Sequence, residues 1–188
     1  MIQLGLDIPG PLISGPKAQP ANTPTNTSQP WRIDINLSAS VLKHLDAAPH
    51  VLSLLEHFQD VKPHKTSLFL LLSELLHNAV DHGLLKLDSA LKQDHGGLDH
   101  YLALREERMA KVDHGQVSVI VEKVFEDYRP LLKLSVRDSG DGFDFRRYEA
   151  ESNDDSHSFG RGLKLVKSLC TRVEFHHNGS ETVVFYPL

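Results

Sequence analysis

Ser73-Glu74-Leu75-Leu76-His77-Asn78-Ala79-Val80-Asp81-His82-Gly83 is the stretch around which the other segments of the chain fall into place. It closes an apolar run in which Leu68, Leu71, Leu72, Leu75, Leu76 and Val80 recur at helical spacing. Pro63 stands just ahead of that run, where the first turn of a helix tolerates proline. The spacing predicts a mostly buried helix that stops near Gly83. On an α-helix, Glu74, Asn78, Asp81 and His82 fall at i, i+4, i+7 and i+8 and share one face. Polar groups on such a helix need partners, because leaving them buried and unpaired is costly. An asparagine oxygen is a hard ligand suited to Mg²⁺, and a carboxylate one turn earlier can accept a proton. Taken by itself, the segment also reads as the solvated stripe of an ordinary amphipathic helix.

Two glycine-bearing segments follow. In Val136-Arg137-Asp138-Ser139-Gly140-Asp141-Gly142, an apolar strand delivers Asp138 into a turn. Glycine allows positive φ there and lets backbone approach a ligand closely. A carboxylate at the strand end can accept a hydrogen bond from an exocyclic amine such as that of adenine; an ordinary Asp-Gly turn is the other reading. In Gly160-Arg161-Gly162-Leu163-Lys164, a Gly-x-Gly leads into a helix, and free N–H groups at a helix N-terminus attract anions. The segment is not a Walker A loop, since no G-x-x-x-x-G-K-[ST] occurs, nor a dinucleotide-binding fingerprint, which needs a third glycine.

Around these segments, Trp31–Leu37 alternates apolar and polar residues as a half-buried strand does, and a helix follows with Leu45, Val51, Leu52, Leu55 and Phe58 on its apolar side. Residues 84–115 read as a helical insertion carrying the charged run Arg105-Glu106-Glu107-Arg108. Val117–Phe125 and Leu131–Arg137 read as strands joined by a turn at Asp127 to Pro130. A helix is expected from about Gly162 to Cys170, then strands Arg172–His177 and Thr182–Pro187 around Asn178-Gly179, a hairpin signal. This order predicts an α/β (α+β) two-layer sandwich, with a mixed, mostly antiparallel sheet covered on one face by helices. Residues 1–30, with Pro11, Pro16, Pro20, Pro24 and Pro30 among Asn, Thr, Ser and Gln, read as a linker, and Met1–Ile8 at its start as the last strand of a preceding domain. The folded domain is then 31–188.

The 188 residues suit one domain with a full core. A net charge of -5 argues against non-specific nucleic-acid binding, which needs a basic surface. No apolar run reaches membrane-spanning length, and no signal peptide is legible. One cysteine, Cys170, forms no intrachain disulfide and favours a reducing, cytoplasmic setting.

The order of the three segments, E-x-x-x-N on a helix, D-x-G-x-G after a strand and G-x-G before a helix, resembles the N, G1 and G2 boxes of the GHKL ATPases, which share the Bergerat ATP-binding fold. The resemblance runs from about Trp31 to Leu188. It implies that Asn78 holds Mg²⁺, that Glu74 is the general base, and that Asp138 accepts from the adenine amine. It implies further that Gly140 and Gly142 shape the turn beside adenine, that Gly160, Arg161, Gly162 and Leu163 meet the phosphates, and that Thr182 supports the adenine pocket. His82 falls where the serine-kinase branch often has histidine. The opening strand and two helices before Glu74, and the Gly-Arg-Gly-Leu run, look most like the anti-sigma-factor serine kinases, while the segment between Gly142 and Gly160 is shorter than the lids of the topoisomerase and chaperone branches. Residues 84–115 resemble the kinase-like domain of some response-regulator phosphatases. The implied activity is ATP-dependent phosphorylation, or binding, of an anti-sigma-factor antagonist or sigma-regulatory protein. Exposed apolar surface on the early helices would support a homodimer. The competing functions are the catalytic domain of a histidine kinase, which lacks here a phosphoacceptor-bearing helical pair, and a nucleotide-gated binding module that transfers nothing.

Overall fold

Val117, Val119 and Val121 alternate with Ser118, Ile120 and Glu122, so one side of that strand is apolar and the other mostly polar. In the structure, a computed structural model that describes residues 2–7, 29–93, 97–143 and 161–188, this strand lies inside a six-stranded sheet. The strands are β1 (Ile2–Asp7), β2 (Trp31–Ser38), β3 (Gln116–Glu126), β4 (Arg129–Asp138), β5 (Arg172–His176) and β6 (Glu181–Pro187), in the spatial order β1-β2-β3-β4-β6-β5. Every neighbouring pair is antiparallel. The expected mixed sheet is thus corrected to a wholly antiparallel one. The physical reason is connectivity: β3 to β4 and β5 to β6 are hairpins, and no described crossover returns a strand parallel to its neighbour. Asp127 and Tyr128 turn the first hairpin with φ of 48° and 65°, the two positive angles that a tight two-residue loop demands.

The folded unit also reaches further forward than the sequence suggests. Ile2–Asp7 pairs with β2 in the register Ile2↔Leu37 to Asp7↔Arg32, so β1 belongs to the same sheet as the rest. The linker reading of residues 1–30 therefore does not hold for these six residues. The strand expected within Met1–Ile8 is present, and it pairs with β2 of this sheet instead of ending a preceding domain.

Helices cover one face. They are α1 (Ala39–Leu42), α2 (Ala47–Leu55), α3 (Lys65–His77), α4 (Gly97–Lys111) and α5 (Arg161–Leu169). On α3 and just beyond it, Leu68, Leu71, Leu72, Leu75, Leu76, Ala79 and Val80 are buried, a stripe of period three and four that meets Val119, Val121, Leu132 and Leu134 of the sheet. At the far end from the three sequence motifs, Trp31 stacks on Phe58 at 3.9 Å, and Lys123, 2% exposed, pairs with Asp60. The opposite sheet face carries polar residues joined in pairs, among them Arg32 with Asp34 and Glu122 at 2.8–2.9 Å. The region expected to hold a helical insertion contains a 3₁₀ turn, Ser89–Gln93, and the fifteen-residue α4. No described helix is long and apolar enough to cross a membrane.

Leu72 and Leu70 test this division of α3. Leu72 is fully buried and Leu70 is 41% exposed. Leu72→Ala is expected to cost about 2–5 kcal/mol in urea unfolding, while Leu70→Ala stays within about 1 kcal/mol. Equal losses would show that the apolar stripe is misassigned.

Candidate functional site

Helix α3 ends at His77, but the chain stays helical. Residues Asn78–Leu84 form a π-helix, and the Leu85 N–H reaches the Val80 carbonyl five residues back at 2.9 Å. Such wider turns are rare and recur at functional sites. The change of pitch rearranges the polar stripe read from the sequence. Glu74 is half-buried and Asn78 exposed, one turn apart, with the Asn78 N–H still bonded to the Glu74 carbonyl. Asp81 instead turns inward and is 4% exposed. It accepts hydrogen bonds from the Tyr101 hydroxyl at 2.8 Å and from Arg105 Nε at 2.7 Å. His82 directs Nδ1 at the Leu87 carbonyl, 2.6 Å away. The four residues therefore do not form one face, because a π-helix turns less per residue than an α-helix.

The three motif segments nevertheless meet. Gly83, at the end of the π-helix, lies so close to β4 that a Cβ there would sit 2.2 Å from the Asp138 carboxyl carbon. A Cβ on Gly140 would sit 2.4 Å from the Gly83 carbonyl oxygen. One on Gly162 would sit 2.1 Å from Glu74 Oε2, which brings the first turn of α5 against α3. A carboxylate beside a helix N-terminus is favourably placed with respect to the helix dipole. At Gly140 a side chain would meet the Gly83 backbone, at Gly83 it would push the Asp138 carboxylate aside, and at Gly162 it would have only to swing the tip of Glu74 away. Gly142 serves a different contact. With φ of +81°, it brings the turn against the Asn178 carbonyl, from which a Cβ would be 2.1 Å, and the Phe143 N–H donates to that carbonyl at 3.0 Å. Its role here is to dock the turn on the β5–β6 hairpin.

Asp138 ends β4 on the helix-covered side, 9% exposed. Its Oδ1 accepts the Gly140 N–H at 2.8 Å, and among the described residues no donor meets Oδ2. Burial raises the carboxyl above the usual aspartate range, with the Gly140 N–H and its own backbone N–H pulling the other way. Thr182 pairs with Val136 across β4 and β6, so it stands on the same side of the sheet one step behind Asp138. Leu163 is buried in the core, and its contribution is to hold α5 on α3. Gly160 and the Arg161 side chain lie outside the described residues, as does most of the segment between Gly142 and Gly160. Lys86, with φ of 51°, pairs with Asp141 at 2.5 Å and ties the turn after β4 to the segment that follows the π-helix.

The donor set suits a magnesium ion that arrives with phosphate. Among the described residues no cluster of three His, Cys, Asp or Glu side chains could cage a metal. Asn78 offers one exposed hard oxygen, and Mg²⁺ commonly takes one or two protein oxygens with waters and substrate phosphates. Sequence reasoning passed over Gly83, whose only apparent role was to stop a helix, and over Tyr101 and Arg105, which lie in a charged, weakly periodic insertion. No protein-family model matches the chain, and no curated protein matches it.

The buried carboxylate has a pH signature. A raised carboxyl pKa means that the folded chain holds this proton more tightly than the unfolded one. The group's contribution is then most favourable below the ordinary aspartate value and is lost as pH rises through the folded value. Asp138→Asn keeps an oxygen for the Gly140 N–H. It is expected to raise the thermal midpoint of the ligand-free chain at pH 7, with the gap to wild type narrowing toward pH 4. A variant no more stable than wild type at pH 7 contradicts this account.

Proposed function

We propose that the chain is a GHKL-type domain of Bergerat fold that binds ATP with Mg²⁺ and phosphorylates a serine on a protein partner, an anti-sigma-factor antagonist or sigma-regulatory protein, in the cytoplasm. The observation that carries the reading is the convergence of Gly83, Asp138 and Gly140 in one place, with Glu74 set against Gly162. The first segment thus touches both of the others, which lie some 60 and 80 residues further along the sequence.

Each group then has a physical task. Oδ2 of Asp138 accepts from the adenine amine, and the dry surroundings that raise its pKa strengthen that bond once made. The amine offsets the cost of keeping the carboxylate ionised. Thr182 lies beside it on β6. The first turn of α5 offers N–H groups to phosphate oxygens. Mg²⁺, held by Asn78 and the phosphates, would neutralise charge on the transferring group. Glu74 accepts the proton of the serine hydroxyl as the serine oxygen bonds to the γ-phosphorus and the bond to the β-phosphate oxygen breaks, releasing ADP. Positioning and electrostatics supply most of the rate in such a transfer.

Calorimetric titration with ATP and Mg²⁺ tests the first step, and transfer of labelled phosphate to a serine-bearing antagonist tests the second. Glu74→Ala is expected to hold ATP within about threefold of wild-type affinity and to lower transfer by about a hundredfold or more. Undiminished transfer would remove Glu74 as the base. Tight partner binding with no label on serine would favour a nucleotide-gated module.

A further inference from the structure

Helix α4 holds the π-helical segment at its middle and just past its end. In the middle Asp81 takes hydrogen bonds from α4, the Tyr101 hydroxyl on Oδ2 at 2.8 Å and Arg105 Nε on Oδ1 at 2.7 Å. Just past the end Arg108 Nη1 donates to the carbonyls of Leu85 at 2.8 Å and Lys86 at 2.6 Å. Tyr101 is only 2% exposed, and the Lys92 ammonium stands over its ring at 4.0 Å. A buried carboxylate depends on its donors, so losing one forces the side chain, and the backbone carrying it, to relax. Two residues beyond Asp81 comes Gly83, which has no room to move toward β4: a Cβ's worth of space there is already filled by the Asp138 carboxylate.

We propose that Asp81 is a positioning residue of the nucleotide site: held by Tyr101 and Arg105, it fixes the turn that seats Gly83 against Asp138 and Gly140, so that α4 governs the shape of the pocket. The inference rests on the nucleotide reading above for its functional half. Its structural half concerns the Gly83–Asp138–Gly140 contact alone. Asp81 need not touch nucleotide. It acts through the backbone between residues 81 and 83, and α4, which contributes none of the proposed ligand-binding groups, becomes the element through which the site is set.

Tyr101→Phe removes the hydroxyl and keeps the buried ring, and Asp81→Asn keeps the shape of the side chain while removing its charge. Two measurements on the full chain separate the possibilities. The first needs no nucleotide. By NMR, the Gly140 amide, bonded to Asp138 Oδ1, is expected to exchange about tenfold faster in both variants, while amides of the β2–β3 ladder keep their wild-type rates. Unchanged exchange at Gly140, or equal acceleration across the sheet, overturns the proposal. The second compares Mg-ATP with Mg-GTP. A carboxylate aimed at an exocyclic amine discriminates against the guanine carbonyl, and that preference depends on where Asp138 sits. The ATP-over-GTP affinity ratio is expected to fall about tenfold in Tyr101→Phe. A merely structural role would lower the folded fraction, weaken both nucleotides alike and leave the ratio intact, which would overturn the positioning role. If either variant fails to fold, Arg105→Lys, which keeps a cation near Asp81, is read by the same two measurements. A wild-type chain that binds neither nucleotide overturns the ATP reading, and the exchange rates at Gly140 then decide by themselves whether Asp81 sets that contact.

Discussion

Where α3 widens into the π-helix, backbone comes against carboxylate: Gly83 meets Asp138 with no side chain between them, and Gly140 meets the Gly83 carbonyl from the other side. This approach is available only because both positions lack a Cβ. It constrains much else. The leucine stripe of α3 must lie flat on β3 and β4 to bring Gly83 to the right depth. Asp138 must fall at the end of β4 on the helix-covered side, which the register Val119↔Val136 and Val117↔Asp138 ensures. A slip of one residue would turn Asp138 to the polar face and leave Gly83 opposite Arg137 or Ser139.

The same contact explains why a carboxylate is tolerated in a place that disfavours its charge. Asp138 receives the Gly140 N–H, and the cost of the remaining desolvation is left in the ligand-free chain. Binding sites commonly carry such a cost, since a group kept ready for a ligand is not satisfied by the protein alone. Asp81, only a few residues from Gly83, shows the opposite solution. Its two oxygens are met by Tyr101 and Arg105, and the result is a braced joint. Two buried aspartates thus pack near one glycine, one with an oxygen that no described donor meets and one with both oxygens met by α4.

The insertion between the π-helix and β3 follows from this. Its helix α4 exposes Leu98 and Leu102, packs Tyr101, Leu104 and Met109 on the core, and is joined to the π-helical segment and the residues after it through Tyr101, Arg105 and Arg108. Polar anchors of this kind are directional. They fix orientation more sharply than apolar area does.

Local pattern was enough to read the leucine stripe of α3, the alternation of β2, β3 and β4, the Asn178-Gly179 hairpin and the order of the three motif segments, because periodicity and turn chemistry act over a few residues. Motif spacing also singled out Glu74, Asn78, Asp138, Gly140 and Gly162, and the fold sets Glu74 against Gly162 and bonds the Gly140 N–H to Asp138. Three things were decided only in three dimensions. The antiparallel pairing of every strand, with Ile2–Asp7 on the edge, depends on contacts between distant segments that no short window contains. The π-helix goes with tertiary contacts: its sequence reads equally well as α, and within the wider turn Gly83 lies on β4 and Asp81 on α4. The partners of Asp81 lie twenty and twenty-four residues away in a segment with little pattern, so the sequence could name the aspartate but not what it holds.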